Sequence, residues 1–306
     1  MKAQQAVSTP VDRTMPPLPE FAPFAQRVAL SRHGFSLFLY DTQIGAASCG
    51  TPMLLVHGLG DEADTWRHVL SALAAERRVV AIDLPGFGRS DKPDAPYSVP
   101  WFAGVLLDVL DTLALERVAL AGHSLGAITS HWLALEQPSR IDRLALLDGG
   151  LVAAARKLDL ATAMFLAPGI GEWLYTRLRK NPQAAFDSLR PYYADLDALT
   201  EADRSLLFER VNQRVWSDEQ RRAFFRTFRS LVRWLPGQQK DLPARLAAVT
   251  TPTLVLWGEQ DRIAGVENGR SLAALQPGAQ LTILPGAGHN IQQEASAAVI
   301  EVLAKL

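Results

Sequence analysis

The sequence predicts an α/β protein, with a mostly parallel central sheet, helices on both of its faces, and a helical segment inserted into the chain. Three observations predict this. From residue 27 onward, short apolar or β-branched runs ending in Gly or Asp alternate with segments of helical period. The alternation stops between residues 151 and 241 and then resumes. The 306 residues are 48% hydrophobic and 21% charged, which is enough apolar material for a large core, argues against disorder, and exceeds one minimal module. Strands that alternate with helices need crossover connections, and crossovers cover both faces of a parallel sheet.

Taken in order, residues 1–25 carry Pro10, Pro16, Pro17, Pro19 and Pro23 and predict an irregular N-terminal arm, mobile or lying across the body. Arg27 to Ser31 and Phe35 to Tyr40, joined by Arg32-His33-Gly34, predict an antiparallel entry hairpin. Six further strands are expected at Met53 to His57, Arg78 to Leu84, Arg117 to Ser124, Arg143 to Asp148, Thr253 to Gly258 and Gln280 to Leu284. Helical periodicity falls around 62–75, 98–114, 125–136, 266–275 and 291–305. These segments assign 26–150 and 242–306 to one α/β core.

Residues 151–241 read as a helical lid, broken at Pro168-Gly169, Asn181-Pro182, Arg190-Pro191 and Pro236-Gly237. The lid holds 12 of the chain's 24 aromatics, and its 15 Lys/Arg against 11 Asp/Glu give +4. The whole chain carries −1, so the core is −5. That near balance gives no electrostatic case for nucleic acid. The single Cys49 excludes a disulfide framework or a Cys-rich zinc site. No run approaches the 18 apolar residues of a membrane span, and Lys2 is followed by Gln4, Gln5, Ser8 and Pro10 rather than an apolar stretch, so a cytoplasmic monomer or homodimer is expected.

Reactive groups in parallel α/β sheets collect at the carboxyl ends of strands. Gly122-His123-Ser124-Leu125-Gly126 follows one predicted strand and opens a helix, a sharp turn that lifts the Ser124 hydroxyl clear of the sheet. A serine is a poor nucleophile without a base and a group that orients the base. Among six histidines, His57 and His289 stand at strand ends. His289 lies in the glycine-rich Gly286-Ala287-Gly288-His289-Asn290 loop and is the candidate base, while His57 is expected to orient the loop that follows it or to border the substrate pocket. Asp261 follows the strand ending at Gly258 and gives the chain order Ser124, Asp261, His289. Asp148, at the end of the preceding strand, is the alternative acid. Backbone N–H groups of Leu59, in His57-Gly58-Leu59-Gly60, and of Leu125 are the candidate oxyanion donors. Gly58-Leu59-Gly60-Asp61-Glu62-Ala63, with Asp83 beyond it, also fits a dinucleotide fingerprint, but Asp61 and Glu62 would place two negative charges where a pyrophosphate sits.

Together with Asp83-Leu84-Pro85-Gly86-Phe87-Gly88-Arg89-Ser90 and Gly258-Glu259-Gln260-Asp261, these motifs resemble the α/β-hydrolase superfamily over residues 27–306, in particular its cap-bearing serine esterase and lipase branch. The resemblance implies the α/β-hydrolase fold, the Ser124-Asp261-His289 triad, and a reaction needing neither cofactor nor metal. Dehalogenases and epoxide hydrolases of that superfamily use Asp where this chain has Ser124. C–C bond hydrolases of ring-cleavage pathways use Ser but typically place Trp after the catalytic His, where this chain has Asn290, and proline iminopeptidases usually have Trp where it has Leu125. Many relatives also carry Pro shortly after the acid, whereas this chain reads Asp261-Arg262-Ile263-Ala264. The expected function is hydrolysis of small to medium, largely apolar carboxylic esters through an acyl-enzyme. The alternatives are a C–C hydrolase of vinylogous diketones, an acyltransferase or perhydrolase on the same triad, and a ligand receptor that retains the triad. Met164, Phe165 and Leu166 are candidate pocket wall. Arg222, Arg226, Arg229 and Arg233 fall on one helical face, expected to be solvated, with an anionic tail or a membrane surface as the sharper alternative.

Overall fold

The computed structural model describes residues 15–42, 50–152 and 160–306, so Cys49, the first fourteen residues and part of the insertion lie outside the described chain. Within the described arm a 3-10 turn at Pro19–Phe24 packs Phe21 against Tyr40, and Arg210 donates to the Pro16 carbonyl at 2.7 Å. Strands β1 (Ala25–Ala29) and β2 (Ser36–Asp41) form the expected hairpin, with Gly34 at φ +72° in its turn. The chain continues through β3 (Met53–Val56), α1 (Arg67–Ala74), β4 (Val79–Ile82), α2 (Val99–Thr112), β5 (Val118–His123), α3 (Leu125–Glu136) and β6 (Ile141–Leu147).

Between β6 and the next strand the described chain is helical: α4 (Leu160–Leu166), α5 (Ile170–Arg177), α6 (Pro182–Asp187), α7 (Glu201–Trp216), α8 (Asp218–Gln238) and α9 (Leu242–Ala247). β7 (Thr253–Gly258), α10 (Glu267–Leu275), β8 (Ala279–Leu284), α11 (Ile291–Glu294) and α12 (Ser296–Leu303) complete the fold. The eight strands lie in the order β1-β2-β4-β3-β5-β6-β7-β8. β2 runs antiparallel to both neighbours, and every pairing from β4 to β8 is parallel.

The strand pattern explains the two covered faces, because successive side chains of a strand point to opposite sides. Leu54, Val56, Leu120 and Leu146 face one way and pack with Phe102 and Leu106 of α2, Ala127 of α3 and Leu272 of α10. Met53, Leu55, Ala119 and Ala121 face the other way and pack with Val69 and Leu70 of α1 and Val299 and Leu303 of α12. A strand buried on both sides has no polar alternation, which is why these runs read as continuous apolar stretches.

Two expected boundaries move. Pro236-Gly237 does not break α8, which continues to Gln238. A proline this close to a helix end removes few backbone bonds, and Trp234 holds the last turns by an edge contact with Trp132 at 4.9 Å. The helix expected over 291–305 divides at Ala295, whose φ −130° and ψ 40° leave the helical region.

The helical insertion has its own small core, centred on Phe186, Tyr193, Leu196, Leu207 and Val211. Ion pairs fasten it to the sheet domain. Arg214 of α7 binds Asp61 and Glu62 at 2.6 Å each, Arg210 binds Asp64 at 2.7 Å, and Arg67 binds Asp203 at 2.7 Å. The arginine face of α8 is largely engaged as well: Arg226 pairs with Asp94, Arg229 pairs with Glu172 at 2.6 Å, and Arg233 donates to the Arg229 carbonyl.

Candidate active site

The strand-to-helix turn at the end of β5 is strained as its sequence suggests. Ser124 sits at φ +52°, ψ −114°, a region non-glycine residues rarely occupy. The turn closes because its flanking glycines have no Cβ. One at Gly122 would land on the backbone of Gly126 and Ala127, and one at Gly126 on the carbonyl oxygens of Val56 and His57.

Three strand ends converge on the serine. His289, in the loop after β8, places Nε2 3.0 Å from Ser124 Oγ, and its Nδ1 lies 2.8 Å from Asp261 Oδ2. Asp261, after β7, accepts from Ile263 N–H at 2.8 Å and Ala264 N–H at 2.9 Å through its other oxygen. Burial opposes charge on Asp261, but the His289 ring and these two N–H groups outweigh it and hold the carboxyl below its ordinary range. The absence of proline here has a consequence, since a proline at 263 or 264 would lack the donated N–H. An imidazole fixed by a carboxylate on one side and facing a hydroxyl on the other is equipped to take the hydroxyl proton.

Asp148 lies at the end of β6 with φ +45° and accepts from Gly258 N–H at 2.7 Å. It does not bond His289 directly, and its second oxygen is buried without a well-formed hydrogen bond. Burial first, and then the charge of Asp261, push its carboxyl well above the usual carboxylate range.

Leu125 is the first residue of α3, so its N–H has no intrahelical acceptor. The loop carrying Leu59 lies against the nucleophile turn: a Cβ on Gly58 would stand 3.2 Å from Ser124 Cβ and 3.0 Å from His123 Nδ1. His57 is 0% exposed. Its Nδ1 donates to the Gly58 carbonyl at 2.7 Å and its Nε2 accepts from Leu84 N–H at 2.8 Å, tying the Leu59 loop to the loop that follows β4. Burial, the leading influence, lowers its pKa and keeps it neutral, as an accepting Nε2 requires. The dinucleotide fingerprint dissolves at the same place. Asp61 and Glu62 face Arg214, while Asp83 accepts from Ala63 N–H at 2.7 Å and pairs with Arg89.

Of the expected pocket residues, Phe165 joins an aromatic group with Phe225 at 5.0 Å and Phe224 at 6.3 Å, and Phe224 in turn abuts Gly60 of the Leu59 loop. Leu166 is buried, and Met164 is 50% exposed on α4. Several participants carried no signal in the sequence. The Tyr192 carbonyl accepts from both His289 and Asn290 N–H groups at 3.0 and 3.2 Å. Glu294 accepts from Gly288 N–H at 2.9 Å and Ala194 N–H at 2.7 Å, so its carboxylate bridges the histidine loop and the insertion. His123, the variable residue of the serine motif, lies 2.7 Å through Nε2 from the His289 carbonyl.

A family model described as the alpha/beta hydrolase fold matches residues 51–296. The chain belongs to the α/β hydrolase family. This α/β hydrolase is 31% identical over 265 residues to a 2-hydroxy-6-oxononadienedioate/2-hydroxy-6-oxononatrienedioate hydrolase of Cupriavidus pinatubonensis, covering 85% of this chain and 86% of the relative. It is also 31% identical over 250 residues to an uncharacterized protein of Mycobacterium bovis, covering 82% and 73% respectively. The structure of 2-hydroxy-6-oxo-6-phenylhexa-2,4-dienoate hydrolase from Rhodococcus sp. strain RHA1 superposes with a TM-score of 0.74 at 23% identity, covering 92% of this chain and 97% of its own, a likeness of fold. Among the described residues no helix is long and apolar enough to cross a membrane.

Proposed function

We propose that this α/β hydrolase cleaves a carbon–carbon bond beside the ketone of a vinylogous diketone, with Ser124, His289 and Asp261 as its triad. The observation that carries the reading is the 31% identity over 265 residues to a hydrolase named for such a compound. A 2-hydroxy-6-oxo dienoate contains no ester, so a hydrolase acting on it adds water across the bond between the ketone carbon and its neighbour. This reading displaces ester hydrolysis as the first choice and keeps the same residues.

The chemistry follows from the geometry. The 2-hydroxy enol first ketonises. Ser124 Oγ, 3.0 Å from His289 Nε2, then adds to the ketone carbon as its proton passes to the imidazole, with the Leu59 and Leu125 N–H groups as the proposed donors to the new oxyanion. When the oxyanion collapses the carbon–carbon bond breaks, and its electron pair enters the conjugated 2-oxo system, which makes the carbon an acceptable leaving group. His289 returns the proton to that carbon. Water, activated by the same histidine, then releases the acyl group from Ser124.

Ester cleavage is the second reading, favoured by Asn290 in place of the tryptophan and by the aromatic group around Phe165 and Phe224. Steady-state turnover of a 2-hydroxy-6-oxo dienoate, followed by loss of dienolate absorbance, is compared with turnover of p-nitrophenyl esters. The reading expects kcat/KM for the dienoate to exceed that for the best ester by about 10-fold or more. The reverse order hands the function to ester hydrolysis.

A further inference from the structure

We infer that Asp148 is a reserve acid of the triad, a buried carboxyl held beside Asp261 that supports His289 once Asp261 is removed. The inference rests on the reading of Ser124, His289 and Asp261 as a triad and adds a fourth member to it.

The geometry is compact. One ligand atom each from Asp148, Asp261 and His289 lie within 4.8 Å of one another, and all three residues are buried. Asp148 Oδ1 is fixed by Gly258 N–H at 2.7 Å, the last residue of β7 and three before Asp261, so the two carboxyls belong to one rigid corner of the sheet. Asp148 Oδ2 is buried with no well-formed hydrogen bond, although the Ile291 N–H lies close enough to favour its charge. An unpartnered buried oxygen is costly to keep, and more so when ionised.

Two carboxyls this close and this dry do not both ionise. The structure distributes the charge unequally. Asp261 has the His289 ring and two N–H donors, whereas Asp148 has one strong donor and faces the Asp261 charge. The other titratable groups around Asp148 are Glu294, which also opposes its ionisation, and His131 of α3, which lies near Gly150 and bonds Gln276. Burial lowers the His131 pKa to about 4, so it supplies no cation at neutral pH. Replacing Asp261 by Asn removes the charge that keeps Asp148 protonated. Above its new pKa Asp148 then gives its proton to water, leaving a carboxylate with an oxygen within 4.8 Å of an imidazole nitrogen.

The test is phosphonylation of Ser124 by a fluorophosphonate, which needs His289 and no natural substrate. Wild type, Asp148→Asn, Asp261→Asn and the double variant are compared between pH 5.5 and 9. Asp148→Asn keeps the acceptor for Gly258, and its rate is the baseline against which the double variant is read. Asp261→Asn is expected to fall about 100-fold at pH 7 and to regain up to about 10-fold per pH unit on the alkaline side, while the double variant lies at least about 10-fold lower still with no such rise. Equal rates for Asp261→Asn and the double variant at every pH overturn the inference. A wild type that is not labelled at Ser124 sinks the triad reading together with it. Infrared spectra do not depend on the Asp261 variants folding: a wild-type minus Asp148→Asn difference at pH 7 is expected to contain a protonated carboxyl C=O band, and its absence also overturns the inference.

Discussion

Replacing Arg214 with Met removes the one cation that two neighbouring carboxylates share at the joint between insertion and sheet domain. The Arg214 side chain is 11% exposed, that of Glu62 2% and that of Asp61 17%, and both ion pairs measure 2.6 Å. Breaking a buried pair by removing one partner costs about 3–5 kcal/mol, because the remaining charge stays out of water. At about 2.1 cal/mol/K of unfolding entropy per residue, that lowers the Tm of this chain by about 5–8 °C. Thermal unfolding followed by circular dichroism measures it.

The pH dependence has a defined sign. Burial is the leading influence that raises the Glu62 pKa above its ordinary value, with the Asp61 charge adding to it and Arg214 opposing both. Without Arg214 the folded-state value rises further. A carboxyl whose folded pKa exceeds its unfolded one contributes stability at low pH that is lost as pH rises through the folded value. The deficit of Arg214→Met relative to wild type is therefore largest near pH 8 and shrinks toward pH 5. Adding Glu62→Gln removes the stranded charge and is expected to restore about half of the lost Tm. A loss under about 2 °C, or a deficit that grows on acidification, refutes the argument that this cluster clamps the insertion.

Ser124→Ala is expected to lower kcat by about 10⁴-fold or more while Tm stays within about 2 °C, measured by turnover and calorimetry. Gly126→Ala drives a methyl group into the Val56 and His57 carbonyl oxygens, so soluble expression or Tm should collapse; a stable and active protein would show that the turn is free to relax. His123→Phe keeps a ring but loses the N–H held to the His289 carbonyl, and kcat should fall about 5- to 10-fold. Burial, then the neighbouring His289 ring, lowers the His123 pKa to about 3, so it is neutral from pH 5 to 8 and the variant's pH–rate profile should run parallel to that of wild type.

The strands were legible because a strand buried on both faces needs uninterrupted apolar residues, a local requirement that Met53 to Val56 and Val118 to Ala121 meet in full. The serine turn was legible for a similar reason, since glycines at 122 and 126 and a serine between them satisfy a local steric constraint. The end of α8 was misplaced because Pro236 acts locally, whereas the contact of Trp234 with Trp132 joins residues about a hundred positions apart.

What the sequence determined by itself is the scaffold and the chemical identities at its strand ends: Ser124 on a strained turn, an acid after β7, a histidine in the glycine-rich loop after β8. What the tertiary structure decided is how their charges are arranged. Asp148 and Asp261 are equivalent by position, each an aspartate just past a strand. Only the folded protein gives Asp261 the imidazole and two N–H donors while leaving Asp148 one donor and a buried second oxygen. Ionisation depends on burial and on neighbours brought together from distant parts of the chain, and neither is written in the spacing of residues.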